Sequence, residues 1–476
     1  MSGFVEYEQY DAMGLAELVR RKEIRPEELL DAAVERVEAR NPAFNAVVMK
    51  LYEHARSAIS NGLPEGPLQG VPFLMKDLTS AVSGITMTRG SKFFADTPPA
   101  EVDSEHVRRL KRAGLVIMGR TNTCELGLSL TCEPRLYGPT RNPWNVEHIS
   151  GGSSGGAAAA VAARMVPIAH ASDGFGSIRV PAACCGLVGL KPTRGRNTFA
   201  PFSGEGLGGC STEHAVTLSV RDSAALLDAT RGMGPGDPYS AAPPPGSFGN
   251  ALLAPAGPLR IAWTVRAPNG AKVSDESVRL LSEIGQLCSE LGHRVVEQDL
   301  PIDGASVVPT FLTLIAANTA VTLASHPTAG RPPHPDEVER ITWLTARKGD
   351  SLGASDYVRA TQAAHRLGRQ TAAFHAEWDV LLTPGLSSPP VKLGWLDMTL
   401  DDFDEYWQRV FDFSPFTVCF NLTGQPALML PLGRSAQGLP MAVQLVGRYG
   451  DEATLLRLGA QLENSRPWFS SKPSLT

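Results

Sequence analysis

Ser150-Gly151-Gly152-Ser153-Ser154-Gly155-Gly156-Ala157-Ala158-Ala159-Ala160 leads through Val166-Pro167-Ile168-Ala169 into Asp173-Gly174-Phe175-Gly176-Ser177-Ile178-Arg179, and this stretch decides the fold. Glycines 151, 152, 155 and 156 give the backbone around Ser153 angles closed to other residues, so a tight bend is expected there. The alanines that follow are strong helix formers, which puts Ser153 and Ser154 where a helix begins. For a serine at that place the ordinary role is a helix N-cap. Val166 to Ala169 reads as a strand, and Asp173 to Ser177 as the turn leaving it. Such a turn can aim successive backbone N–H groups at one point, as an oxyanion hole requires. The expected donors are Gly174, Phe175, Gly176 and Ser177, with the Ser177 hydroxyl in a nucleophile's place.

Upstream, Gly70-Val71-Pro72-Phe73-Leu74-Met75-Lys76 ends an apolar run on a lysine. Low dielectric disfavours the ammonium and makes the free amine available as a base. Asp77 would oppose that shift if the two side chains converged, but neighbours on an extended segment point to opposite faces. An edge lysine that snorkels to solvent is the competing reading.

The rest of the chain alternates amphipathic helices with short apolar strands, the pattern of an α/β protein. Helices are expected over 26–40 behind Pro26, 103–113, 274–292 and 451–464. Strands are expected at 45–49, 115–118, 259–265, 293–296 and 378–384, with 427–430 and 441–446 paired across a turn containing Gly438. Residues 232–257, dense in proline and glycine, read as a loop. The result is one large domain over 1–476, with a catalytic core at about 65–230 and a mostly helical insertion at about 304–377 that builds the substrate pocket. Residues 304–325 lack charge over a membrane-spanning length, but Pro309, Asn318 and four threonines favour a buried helix lining a cavity. Trp395, Phe403, Tyr406, Trp407, Phe411, Phe413 and Phe416 could serve as pocket walls or as plain core.

With 476 residues, 43% hydrophobic, and a net charge of -5, the chain can bury a large core and has no basic surplus for nucleic acid. Its seven cysteines are scattered without a C-x-x-C pair, which argues against a disulfide frame and a zinc site. The opening Met1-Ser2-Gly3-Phe4-Val5-Glu6 lacks the pattern of a secretory leader, and a cytoplasmic protein without membrane attachment is expected.

The two glycine runs, together with Ser177-Ile178-Arg179-x-Pro181-Ala182, Cys185-Gly186-Leu187-Val188-Gly189-Leu190-Lys191-Pro192-Thr193 and Gly424-Gln425-Pro426-Ala427, resemble the amidase signature family. The resemblance runs from about residue 10 to 465. It implies a central mixed twisted sheet covered by helices on both faces, and a Ser-cisSer-Lys triad. In that triad Ser177 is the nucleophile, Ser153 the bridging serine after a cis peptide, and Lys76 the base; no metal or organic cofactor is needed. The implied substrate is a small-molecule amide, linear or cyclic, or a carbamate, and a homodimer is compatible with it. Glu133 to Asn145 and Lys191 to Arg196 are most similar to the branch containing 6-aminohexanoate cyclic-dimer hydrolases. One departure is Phe175, where the family usually carries glycine; its N–H can still donate, but the pocket beside it should be narrower or differently shaped, which bears on substrate choice.

Three other readings compete. Gly151-x-Ser153-x-Gly155 matches the nucleophile elbow of α/β-hydrolase esterases, but none of His170, His214, His293, His326, His334, His365 or His375 sits in a motif that completes it. An amidotransferase subunit acting on tRNA-bound substrate would share the site. Gly204-x-Gly206-x-x-Gly209 imitates a dinucleotide fingerprint without a preceding strand.

Overall fold

A computed structural model describes residues 4–326 and 330–474; residues 1–3 of the opening stretch and 327–329 of the helical middle lie outside it. Its centre is an eleven-stranded mixed sheet flanked by helices. The strand order is Val47–Lys50, Val116–Thr121, Pro72–Lys76, Ile168–Asp173, Thr212–Thr217, Val188–Lys191, Ala427–Arg434, Pro440–Gly447, Val380–Pro384, Arg260–Trp263 and Arg294–Glu297. Both halves of the chain thus contribute to one sheet.

Pro72–Lys76 runs parallel to Val116–Thr121 on one side and Ile168–Asp173 on the other. All five of its residues are buried, as the unbroken apolar run Pro72-Phe73-Leu74-Met75 requires of a strand covered on both faces. Lys76 and Asp173 therefore emerge side by side at the carboxyl ends of parallel strands, where open α/β sheets place their ligands. The strand begins two residues later than Val166 because Pro167 has no N–H for the ladder, and it continues through Asp173.

Gly155–Ala162 forms the expected alanine-rich helix, with all eight residues buried. Its glycines have no room for side chains. A Cβ on Gly155 would lie 2.5 Å from Ser150 Oγ, and one on Gly156 would lie 2.5 Å from the Asn122 nitrogen. Residues 232–257 hold only the short helix Phe248–Ala251. The Gly204 to Gly209 stretch is a loop followed by strand Thr212–Thr217, so it lacks the strand-to-helix context of a dinucleotide site.

The helical middle contains Val307–Ala324, Arg340–Asp350 and Ala354–Glu377, with the first packed on the other two. Gly304–Ala324 is long and apolar enough to cross a membrane. Here it lines a cavity through Ile315, Asn318, Thr319 and Thr322. Tyr406, Trp407, Phe411, Phe413 and Phe416 are buried core, and none of the aromatic residues singled out between 395 and 416 lines that cavity.

Candidate active site

Lys76 is fully buried, and its Nζ lies 2.7 Å from Ser153 Oγ and 3.1 Å from Ser172 Oγ. Burial pushes the Lys76 ammonium down to about 8, against the opposing pull of Glu213 and Asp173. Asp77 takes no part, because its carboxylate faces away to accept from Thr88 and to pair with Arg120 at 3.8 Å. The snorkelling alternative is therefore excluded by geometry.

Neither hydroxyl at the helix start acts as an N-cap. Ser153 Oγ meets Lys76, while Ser154 Oγ donates to the Ser172 carbonyl at 3.3 Å. The Gly152–Ser153 peptide is cis. Ser172, which the sequence reading passed over, stands at the penultimate position of the strand beside that of Lys76.

Ser177 lines the same cavity of about 400 Å³ as Ser153 and Ser172. Among the described residues its hydroxyl has no protein partner, and it makes no hydrogen bond to Ser153. The turn carrying it is held from below. Asp173 accepts from the N–H groups of Gly176 at 2.7 Å and Ile178 at 3.2 Å, from Arg179 Nε at 2.9 Å, and from Asn421 Nδ2 at 2.8 Å. Burial alone would raise this carboxyl; Arg179 and Asn421 outweigh it and hold it well below the ordinary range. Arg179 also donates to the Thr417 carbonyl and to Gln444 Oε1, which ties the turn to the distant end of the chain.

This network corrects one expected donor. The Gly176 N–H is committed to Asp173, whereas those of Gly174, Phe175 and Ser177 meet no protein acceptor among the described residues. The Phe175 ring sits in an aromatic cluster, 5.1 Å from Phe311 and 6.0 Å from Trp407 between ring centres. Thr417 Oγ1 donates to the Phe175 carbonyl at 2.7 Å, so the bulky residue is anchored at both its ring and its backbone.

Behind Lys76, His106, His170 and Glu213 bring ligand-type atoms within 4.8 Å of one another. His170 Nδ1 accepts the Lys76 N–H at 3.3 Å, which leaves its proton on Nε2, facing Glu213 Oε2 at 2.8 Å. That tautomer offers no lone pair to a shared metal ion, so the cluster reads as a hydrogen-bonded brace for the lysine strand. Among the described residues no histidine bonds to Ser153 or Ser177, which removes the partner that the nucleophile-elbow reading needs.

A buried lysine amine thus lies beside two serine hydroxyls, and the turn with the free N–H groups lines the same cavity as those serines. The Amidase family model matches residues 28–456, and the chain belongs to the amidase signature family. It is similar to the 6-aminohexanoate-cyclic-dimer hydrolase of Paenarthrobacter ureafaciens, with 36% identity covering 98% of this chain and 96% of the relative. A solved structure of 6-aminohexanoate cyclic dimer hydrolase complexed with substrate superposes with a TM-score of 0.94, at 35% identity over 99% of this chain and all of that one. A bacterial aryl acylamidase of the same family follows at a TM-score of 0.88 and 27% identity, covering 98% of this chain and 99% of its own. The protein is an amidase, an enzyme that hydrolyses amide C–N bonds.

Proposed function

We propose that this amidase cleaves a small non-peptide amide, linear or cyclic, or a carbamate through an acyl-enzyme on Ser177. The observation that carries the reading is the 2.7 Å contact between Lys76 Nζ and Ser153 Oγ in a buried site where the amine is drawn toward its neutral form. Neutral Lys76 accepts the Ser153 proton as Ser153 accepts that of Ser177, and Ser177 Oγ attacks the carbonyl carbon. The N–H groups of Gly174, Phe175 and Ser177 stabilise the oxyanion. Ser153 then passes a proton to the departing nitrogen, the C–N bond breaks, and water hydrolyses the ester by the same relay. Substrate binding must bring the Ser177 hydroxyl to Ser153, a contact of the kind that tightens only in the reacting complex.

A cavity of about 400 Å³ suits a small molecule. The test is mass-spectrometric turnover of a panel of cyclic amides, linear amides, anilides and carbamates by the lone chain, with Ser177→Ala as blank. Turnover by wild type and none by the blank is the expected result. Equal turnover by both refutes the assigned nucleophile, and turnover only after addition of partner subunits and tRNA favours an amidotransferase.

A further inference from the structure

Seven non-glycine residues among those described have positive φ, and four of them, Thr79, Arg89, Leu126 and Leu207, line the reaction cavity. Left-handed backbone is unfavourable for such side chains and persists where the surroundings impose it, as they do at binding sites. Arg89 is the cation of this group. Its φ is 56°, and Gly90 behind it is packed so closely that a Cβ there would lie 2.5 Å from the Thr123 carbonyl oxygen.

The Arg89 guanidinium is half-buried, with Cζ 4.8 Å from the centre of the Phe94 ring. Among the described residues it has no hydrogen-bond acceptor and no carboxylate at ion-pair distance. Asp77, the anion that most influences it, is already engaged by Thr88 and Arg120. Glu205, the acidic residue of the cavity wall, makes no ion pair with Arg89, and a Cβ on Gly209 would meet both its Oε2 and Arg194 Nε. A half-buried cation left unpaired is poorly solvated, and a planar fork of donors is matched to a carboxylate.

Its position selects one end of the substrate. Leu126 N–H donates to the Arg89 carbonyl at 2.9 Å, and the next residue, Gly127, would place a Cβ 3.3 Å from Ser153 Oγ. Arg89 therefore belongs to the wall on the Ser153 side. Ser153 is the group that hands the proton to the departing nitrogen, so that wall faces the leaving amine.

We infer that Arg89 binds a carboxylate on the leaving-amine portion of the substrate, so that the favoured substrate is an N-acylated amino acid, releasing a free amino acid. This rests on the Ser177, Ser153 and Lys76 reading for which side is which. The inference concerns an acyclic, anionic amide, and a cyclic amide has no such terminus.

The test compares butyryl amides of ω-amino acids four, six and eight carbons long with butyryl amides of alkylamines of matched length. Wild type is expected to favour the carboxylate by tenfold or more in kcat/KM at one of the lengths. Arg89→Gln should bring that ratio to about one, and Arg89→Lys should retain part of it. No preference at any length, or a loss in Arg89→Gln shared equally by both series, overturns the inference. Calorimetric binding of the same amides to Ser177→Ala, with and without Arg89→Gln, separates the two readings. Retained carboxylate-selective binding without turnover by wild type would sink the catalytic reading and leave the Arg89 site standing; equal binding of both series would sink the Arg89 site.

Discussion

Protonation of Lys76 should depress both activity and stability toward low pH, and both effects can be read from one variant. Burial draws the ammonium down to about 8. If the neutral amine is the base, about a tenth of the enzyme is competent at pH 7 and about nine-tenths at pH 9. The value of kcat/KM should therefore rise roughly eight- to tenfold between these limits on a single-proton limb centred near 8. Stability follows by linkage. The folded pKa lies below the ordinary 10.5 of an unfolded lysine, so the unfolded state binds more protons between the two values. Folding is opposed by about 3 kcal/mol below pH 8, and the opposition fades as pH rises toward 10.5. Lys76→Met has no such group: it should be inactive, and at pH 7 should gain about that much relative to wild type compared with pH 10.5. Stopped assays on one neutral amide, and denaturant unfolding of both proteins at the two pH values, provide the readouts. A flat rate profile from pH 6 to 9, with a stability difference independent of pH, would refute the argument that burial creates the base.

Other substitutions address the groups around that amine. Ser172→Ala removes one of two hydroxyl contacts to Nζ, and a lost hydrogen bond of about 1 kcal/mol predicts a five- to tenfold fall in kcat/KM with the alkaline limb kept; an unchanged rate would show that Ser153 alone holds the lysine. Asp173→Asn strands the buried Arg179 guanidinium and should destabilise by about 3 to 5 kcal/mol in denaturant unfolding. A change under 1 kcal/mol would contradict the bracing role of that pair. Phe175→Ala empties part of the cluster with Phe311 and Trp407 and should also cost about 3 to 5 kcal/mol, whereas a near-neutral effect would mean that the ring is not packed as described.

What the sequence disclosed and what it hid follow from the same physics. The strand ending on Lys76 was legible because burial on both faces demands an unbroken apolar run, and the helix after Ser154 because alanines have one strong preference. Thr212–Thr217 was not legible: Glu213 and His214 interrupt its pattern, yet all six residues are buried. Glu213 Oε2 meets His170 and Ser80, and His214 Nε2 meets Ser223, partners that the local sequence pattern does not show. Ser172 escaped notice for a related reason, since only the parallel pairing of two strands brings it to Lys76. Phe175 raised the prospect of a reshaped pocket; Phe311 and Trp407, more than a hundred residues away, supply the slot that takes its ring. The commitment of the Gly176 N–H to Asp173 likewise depends on the fold of the turn, not on the glycine spacing.

The relay from Lys76 through Ser153 to Ser177 is tested most directly by trapping the acyl group. The protein is treated with a slowly deacylating aryl carbamate and mapped by peptide mass spectrometry, with Ser153→Ala and Lys76→Ala alongside. The account predicts one carbamoyl adduct on Ser177 in wild type, formed far more slowly in both variants. An adduct on Ser153, or labelling of Ser177 at an undiminished rate without Lys76, would contradict it.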